Sequence, residues 1–257
     1  FPPHPASVLG KRNGSLYLTT PEQRAGLLGE LGVDVVITHP FSTGLAGLSA
    51  EDFMRWVRSR LGLEVLWVGY DFALGRKREG TIPRLRELGE LLGYRVHEVG
   101  SLELDGEPVS SRRIRAALES GDIEQANRLL GRPYSLCGEV IHGDNRGRSI
   151  GIPTANLEIW KENIIPRAGV YVCKARLDGE TWGAVTNVGV RPTFEQGVVA
   201  PRVEAHILDF DEEIYGRQLC LDFLARLRDE QKFSGIDALL QQIHQDIARG
   251  REILNPP

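Results

Sequence analysis

The chain has 257 residues, 41% of them hydrophobic and 26% charged, the make-up of a soluble globular protein with length for two modest domains or one large one. A formal net charge of −4 and the lack of any basic run argue against a protein that coats nucleic acid. No apolar stretch approaches bilayer length and no secretory signal is readable, so neither nucleic acid nor membrane is expected as a partner.

The three cysteines, Cys137, Cys173 and Cys220, each fall in a strand-like segment, which favours buried free thiols and a reducing, cytoplasmic setting. The chain opens at Phe1 and holds a single methionine, Met54, so a segment upstream of Phe1 is expected.

Taken in order, residues 1–19 are rich in Pro and Gly and read as a loop. Thr20, Pro21 and Gln23 have the spacing of a capping box with proline in the first turn. Leu27, Leu28 and Leu31 give that helix an apolar face, and Gly32 ends it. Residues 33–38 read as a buried strand. Ser49 caps the next helix with Asp52 as reciprocal partner, and Phe53, Trp56, Val57 and Leu61 are expected to face inward. A short apolar run at 65–68, a helix at 83–92 and a strand at 94–99 follow. Strands alternating with helices of this length predict a parallel, doubly wound sheet.

Such sheets bind ligands beyond the carboxyl ends of their strands. At one such end lies a loop with Gly69, Tyr70, Asp71, Phe72, Gly75 and Arg76. At another, a turn at Asp105 and Gly106 leads to Ser110, Ser111, Arg112, Arg113 and Arg115 at a helix start. Hydroxyls, free N–H groups and arginines there suit a triphosphate, although an N-cap with solvated arginines has the same sequence pattern. A helix over 122–130, with Ile123, Ala126, Leu129 and Leu130 on one face, is broken by Gly131 and Pro133. That break divides the chain into residues 1–131 and 132–257.

The second half switches to short strands. Residues 138–156 read GEVIHGDNRGRSIGIPTAN, a strand running into a turn with Gly143, Gly147 and Gly151, with Arg146 and Arg148 between them, and ending in Pro153, Thr154, Ala155 and Asn156. Glycines let backbone approach a ligand closely and arginines neutralise phosphate oxygens. A Thr hydroxyl beside an Asn amide is hard-oxygen chemistry suited to Mg2+ that also bridges phosphates, while a polar hairpin is the plainer reading of the same residues. Strands at 169–177 and 181–188 flank a hairpin signal at Asp178 and Gly179, and further strands are read at 202–210 and 218–224. A last amphipathic helix runs over 236–254. Several strands and one closing helix predict a small antiparallel barrel. In the strand around Glu204, alternation puts Val203, Ala205 and Ile207 on one face and Glu204, His206 and Leu208 on the other. Alternation alone makes Glu204 a solvent-facing carboxylate.

The run of 138–156 resembles the signature of the riboflavin kinase domain, and with the upstream half the chain resembles the prokaryotic bifunctional riboflavin kinase/FAD synthetase family. The resemblance implies a Rossmann-like nucleotidyltransferase domain followed by a β-barrel kinase domain, with ATP as co-substrate, Mg2+ as cofactor, and riboflavin, FMN and FAD as substrates and products. It implies that Thr154 and Asn156 position Mg2+ and ATP under the 143–151 loop, and that Glu204 is the base taking the proton from the ribityl 5′-hydroxyl. Asn187, Arg191, Thr193 and Phe194 match a loop taken to flank the flavin, and Arg217 lies in a matching L-Y-G turn. In the first half, the loop with Gly69, Asp71, Phe72 and Gly75 is similar to one holding the adenylylation substrates. Ser110, Ser111 and Arg115 resemble a motif of nucleotidyltransferases that expel pyrophosphate, with Arg112 where Thr is usual. The family's glycine- and histidine-rich element on its first strand has no counterpart here, and His4 resembles a later segment of the family. Residues 1–257 alone are therefore expected not to carry out adenylylation. Two other functions fit the same residues: a flavin- or nucleotide-binding module without turnover, and an adenylyltransferase with another acceptor.

Overall fold

The computed structural model describes residues 3, 5–10, 17–143, 147, 150–192 and 199–255, without the side chains of 5, 6, 190–192 and 199–201. His4, Arg146, Arg148, Thr193 and Phe194 lie outside the described residues. The chain divides into two compact units, one of residues 1–14 and 28–109 and one of residues 15–27 and 110–257.

The first stretch of chain holds α1 (Pro5–Val8), α2 (Pro21–Glu30), α3 (Thr43–Gly47) and α4 (Ala50–Leu61). It continues through β1 (Val65–Gly69), β2 (Ala73–Leu74), β3 (Gly80–Thr81), α5 (Ile82–Leu92) and β4 (Arg95–Val99). The hairpin of β5 (Glu103–Leu104) and β6 (Glu107–Pro108) ends it. The local signals act as their chemistry dictates. At α2, Thr20 N–H donates to Gln23 Oε1 at 2.7 Å and Gln23 N–H donates to Thr20 Oγ1 at 3.1 Å, the reciprocal box. At α4, Asp52 N–H donates to Ser49 Oγ at 3.0 Å and the Ser49 hydroxyl donates to the Asp52 carboxylate at 2.6 Å. β1 and β4 pair in parallel from Val65↔Arg95 to Gly69↔Val99, with α5 as the crossover. Ala50, Met54, Leu85, Leu88 and Tyr94 form the core beneath them.

Three expectations fail in this half. Residues 33–38 form no strand, and Val33, Val35 and Ile37 are exposed. No described strand lies alongside to take up their backbone hydrogen bonds, and apolar content alone does not make a strand. On α4, Trp56 and Leu61 are exposed while Ala50 and Met54 are buried, because the helix meets its neighbours on the side that Ala50 and Met54 share. Residues 5–8 form a helical turn in the segment read as loop.

Besides residues 15–27, the second unit holds α6 (Ser111–Ser120) and α7 (Ile123–Leu130). Then come β7 (Tyr134–Ile141), β8 (Ala155–Ile159), β9 (Gly169–Leu177), β10 (Glu180–Pro192), β11 (Val199–Ile207), β12 (Gln218–Arg228) and α8 (Ile236–Leu254). The six strands close into a barrel in the order β10-β11-β8-β7-β12-β9, with antiparallel pairing throughout. Closure leaves no unpaired edge. Leu136, Leu157, Tyr171, Val203, Ala205, Leu221 and Phe223 fill its interior, each nearly or wholly buried. α8 lies on the outside, where Ile247 and Leu254 cover Val170, Val185 and Leu208. It is fastened there by Asp246, which accepts from Arg228 Nη2 at 2.7 Å, from Arg228 Nε at 3.0 Å and from Gln242 Nε2 at 3.0 Å.

The cysteine expectation is corrected. Cys137 on β7 and Cys220 on β12 are disulfide-bonded, and only Cys173 is free. The two are 83 residues apart in sequence, and closure of the barrel sets them directly opposite in the ladder with Cα atoms 4.1 Å apart. Cys173 is fully buried, and desolvation pushes its thiol up to about 12.

Two outcomes follow from these contacts. A thiol-specific reagent at pH 8 should find no reactive cysteine in the native protein and one after denaturation without reductant; three would rule out the 137–220 bond. Replacing Asp246 by Ala strands Arg228 against α8 and should lower unfolding free energy by about 3 kcal/mol in a urea titration. An unchanged midpoint would show that the pair does not hold the helix.

Candidate active site

Register builds the site. β8 starts at Ala155, just past Pro153 and Thr154, and its Asn156 lies directly opposite Glu204 of β11. Glu204 in turn lies opposite Asn187 of β10. Their chain neighbours Thr186, Val203 and Ala205 point into the packed interior, so Asn156, Glu204 and Asn187 stand in one row on the outer face. Side chains paired this way have Cβ atoms about 5 Å apart, within mutual reach of one substrate.

Neighbours hold that row in place. Arg202, two residues before Glu204 and so on the same face, donates from Nε to Asn156 Oδ1 at 3.1 Å and forms an ion pair with Glu204. The His206 ring contacts the Pro153 carbonyl oxygen through Nδ1 at 2.8 Å, tying β11 to the segment that carries Thr154. The glycines of the preceding loop are there for close approach. A Cβ on Gly143 would lie 2.2 Å from Asn156 Nδ2, and one on Gly147 would lie 2.2 Å from the Ile152 carbonyl oxygen. Gly151 takes φ 78°, a left-handed conformation in the turn that brings Ile152 N–H to the Gly147 carbonyl at 2.9 Å.

Two cavities meet at this row, and Gly147, Thr154 and Glu204 line both. The first, about 260 Å³, is the more polar of the two: Asn156, Arg202, Asp211, Glu212 and Glu213 line it together with apolar Val140, Ile207, Phe210 and Ile214. The second, about 290 Å³, lies under α8 between Leu239, Ile243 and Ile247 and the barrel residues Val170 and Val185, with Phe233 beside them. Asn187, Glu230 and Arg228 form its polar side. One carboxylate thus borders a mixed chamber that carries most of the charged side chains and a largely apolar one, an arrangement suited to bringing two different substrates to one proton acceptor.

The donor set suits Mg2+ held mainly by a substrate. Thr154 and Asn156 supply hard oxygens, and no three His, Cys, Asp or Glu side chains cluster as a cage among the described residues. An ion here would complete its shell with phosphate and water oxygens.

The other expected residues are placed as follows. Arg191 falls on β10. Arg217 pairs with Asp178 and Glu212 and lines neither cavity. Gly69 ends β1, and Asp71 and Phe72 line a cavity of about 460 Å³ with Tyr70, Arg78, Arg86 and Glu98. Gly75 takes φ 75° and packs on the start of α4, where a Cβ would lie 2.6 Å from Ala50 N. Ser110 caps α6 by accepting from Arg113 N–H at 3.3 Å, Ser111 is its first residue, and Arg115 lies one turn along. Sequence reasoning missed Arg202, Glu230, Phe233 and the 211–215 segment. Alternation from Glu204 was the available signal for Arg202; the rest depend on how α8 and the loops fold back over the barrel.

Residues 130–254 match the riboflavin kinase family, and residues 1–113 match the FAD synthetase family. The chain is 38% identical to a bifunctional riboflavin kinase/FMN adenylyltransferase of Bacillus subtilis, over 96% of this chain and 78% of that protein. A Pseudomonas fluorescens protein of the same name is 38% identical over 100% of this chain and 82% of its own length. A Streptococcus pneumoniae crystal structure described as a macrolide-efflux protein superposes with a TM-score of 0.83 at 32% identity, covering 92% of this chain and 76% of that one. No helix among the described residues is long and apolar enough to cross a membrane. Sequence likeness across nearly the whole chain, joined to the barrel and its outer row of Asn156, Glu204 and Asn187, shows that this protein belongs to the bifunctional riboflavin kinase/FMN adenylyltransferase family.

Proposed function

We propose that residues 132–257 transfer the γ-phosphoryl group of ATP to the 5′-hydroxyl of riboflavin, and that residues 1–131 belong to the domain that adenylylates the resulting FMN to FAD with a second ATP, a site these residues hold only in part. The observation that carries the kinase reading is the position of Glu204, paired in register with Asn156 and bordering both cavities.

In this reading the triphosphate occupies the polar cavity and the isoalloxazine enters the apolar one under α8. Gly147, which lines both cavities, brings backbone of the preceding loop beside the phosphates. Thr154 and Asn156 would hold Mg2+, which would supply charge neutralisation on the phosphate oxygens. Arg202, bonded to both Asn156 and Glu204, keeps the carboxylate turned toward the junction of the cavities. Glu204 accepts the proton of the 5′-hydroxyl as its oxygen bonds to the γ-phosphorus; the bond from that phosphorus to the β–γ bridging oxygen breaks and ADP leaves. Asn187, which lines that cavity, borders the flavin, and Arg191, Thr193 and Phe194 are further candidates for flavin contact. Phosphoryl transfer asks mostly for positioning and charge neutralisation, which a single carboxylate in a fixed row meets.

For adenylylation, Asp71 and Phe72 on the loop after β1 are the candidate substrate-holding residues, supported by the cavity they line. Ser110, Ser111 and Arg115 at the start of α6 are candidates for phosphate contact. The partners are small molecules, and the demand for ATP supports a cytoplasmic setting.

Replacing Glu204 by Gln should cut the rate of ATP-dependent FMN formation by about 10²–10⁴-fold while riboflavin still binds. Product formation by chromatography and binding by flavin fluorescence give the two readouts. Near-normal turnover of the variant would remove Glu204 from the reaction, and no FMN from the unaltered protein would overturn the kinase.

A further inference from the structure

Besides Glu204 and the Asp246 that Arg228 engages, the cavity under α8 has a third carboxylate that the reaction does not use. Glu230 follows β12 and lines the cavity beside Asn187, whose Nδ2 lies 3.5 Å from Glu230 Oε1. Gly189 on β10 makes room for it: a Cβ there would lie 2.6 Å from Glu230 Oε1 and 3.3 Å from Asn187 Nδ2. Since Asn156 faces Glu204 and Glu204 faces Asn187, Glu230 extends the row of polar side chains from three to four. That row runs from the polar cavity into the apolar one.

We propose that Glu230 is the residue that reads the polyol chain of the flavin substrate. The inference rests on the kinase reading of this cavity and deepens it. An isoalloxazine seated against Phe233, Ile243 and Ile247 must send its side chain toward Glu204, where the terminal hydroxyl reacts. The chain carries several hydroxyls, and each buried hydroxyl needs a partner. Glu230 is acceptor-only when ionised and suits hydroxyl donors, while Asn187 offers both an acceptor and donors. The two side by side match vicinal hydroxyls. Gly189 serves this arrangement sterically, because a methyl group would push the carboxylate off the strand.

The test compares two flavins that differ only in that chain, riboflavin and lumiflavin, by fluorescence titration against the whole protein. Glu230→Gln should weaken riboflavin binding about tenfold and leave lumiflavin unchanged. Gly189→Ala, which keeps the charge and displaces it, should show the same selectivity. A purely structural role would weaken both flavins alike, and that result, or no change in either, overturns the proposal. Failure of the unaltered protein to bind either flavin would instead overturn the assignment of the cavity, and the polyol reading with it.

Discussion

The site depends on strand register. Asn156, Glu204 and Asn187 come from strands far apart in sequence and meet only because β8, β11 and β10 pair in one alignment. A slip of one residue in β11 would turn Glu204 into the barrel interior and Ala205 out to the substrate. What forbids the slip is the packing on the other face. Val203 and Ala205 fit against Leu157 and Thr186 in an interior with no room for a carboxylate, and closure of the barrel leaves β11 no free edge along which to shift. Apolar packing inside thus fixes polar chemistry outside.

Putting the chemistry outside a filled barrel creates a second need, a wall. The outer face of a six-stranded barrel is convex and cannot enclose a substrate by itself. α8 supplies one wall, fastened by the Arg228–Asp246 pair in its middle and by Arg251 to Asp209 near its end. Asp209 follows directly on β11, so the helix that closes the apolar cavity is tied to the strand that carries Glu204. Gly143 and Gly147 let backbone approach Asn156 and Ile152 more closely than any side chain would permit.

The legible parts of the sequence were the ones governed by short-range chemistry. Both capping boxes, the turn with positive φ at Asp105 and Gly106, the hairpin at Asp178 and Gly179, and the full span of α8 follow from residues within a few positions of each other. The outward face of Glu204 was legible for the same reason. What failed needed knowledge of a distant neighbour. Residues 33–38 have strand composition without a strand beside them, and Trp56 has helical spacing without a helix packed on it. Cys137 found Cys220 only through barrel closure, and Arg217 found Asp178 across two strands. The two-cavity layout was illegible too, since it is made by α8 and the 211–215 segment lying back over strands that precede them.

The charge balance of the polar cavity narrows how it can work. Glu204, Asp211, Glu212 and Glu213 line it, and Arg202 is the only basic residue among the described residues that do. Arg202 already serves Glu204 and Asn156, so it holds that carboxylate in place rather than meeting a free anion. In the kinase reading, the oxygens of Thr154 and Asn156 would hold a divalent cation brought with the nucleotide, which would supply positive charge beside these carboxylates. Arg146 and Arg148 of the preceding loop are the candidates to meet the phosphate oxygens.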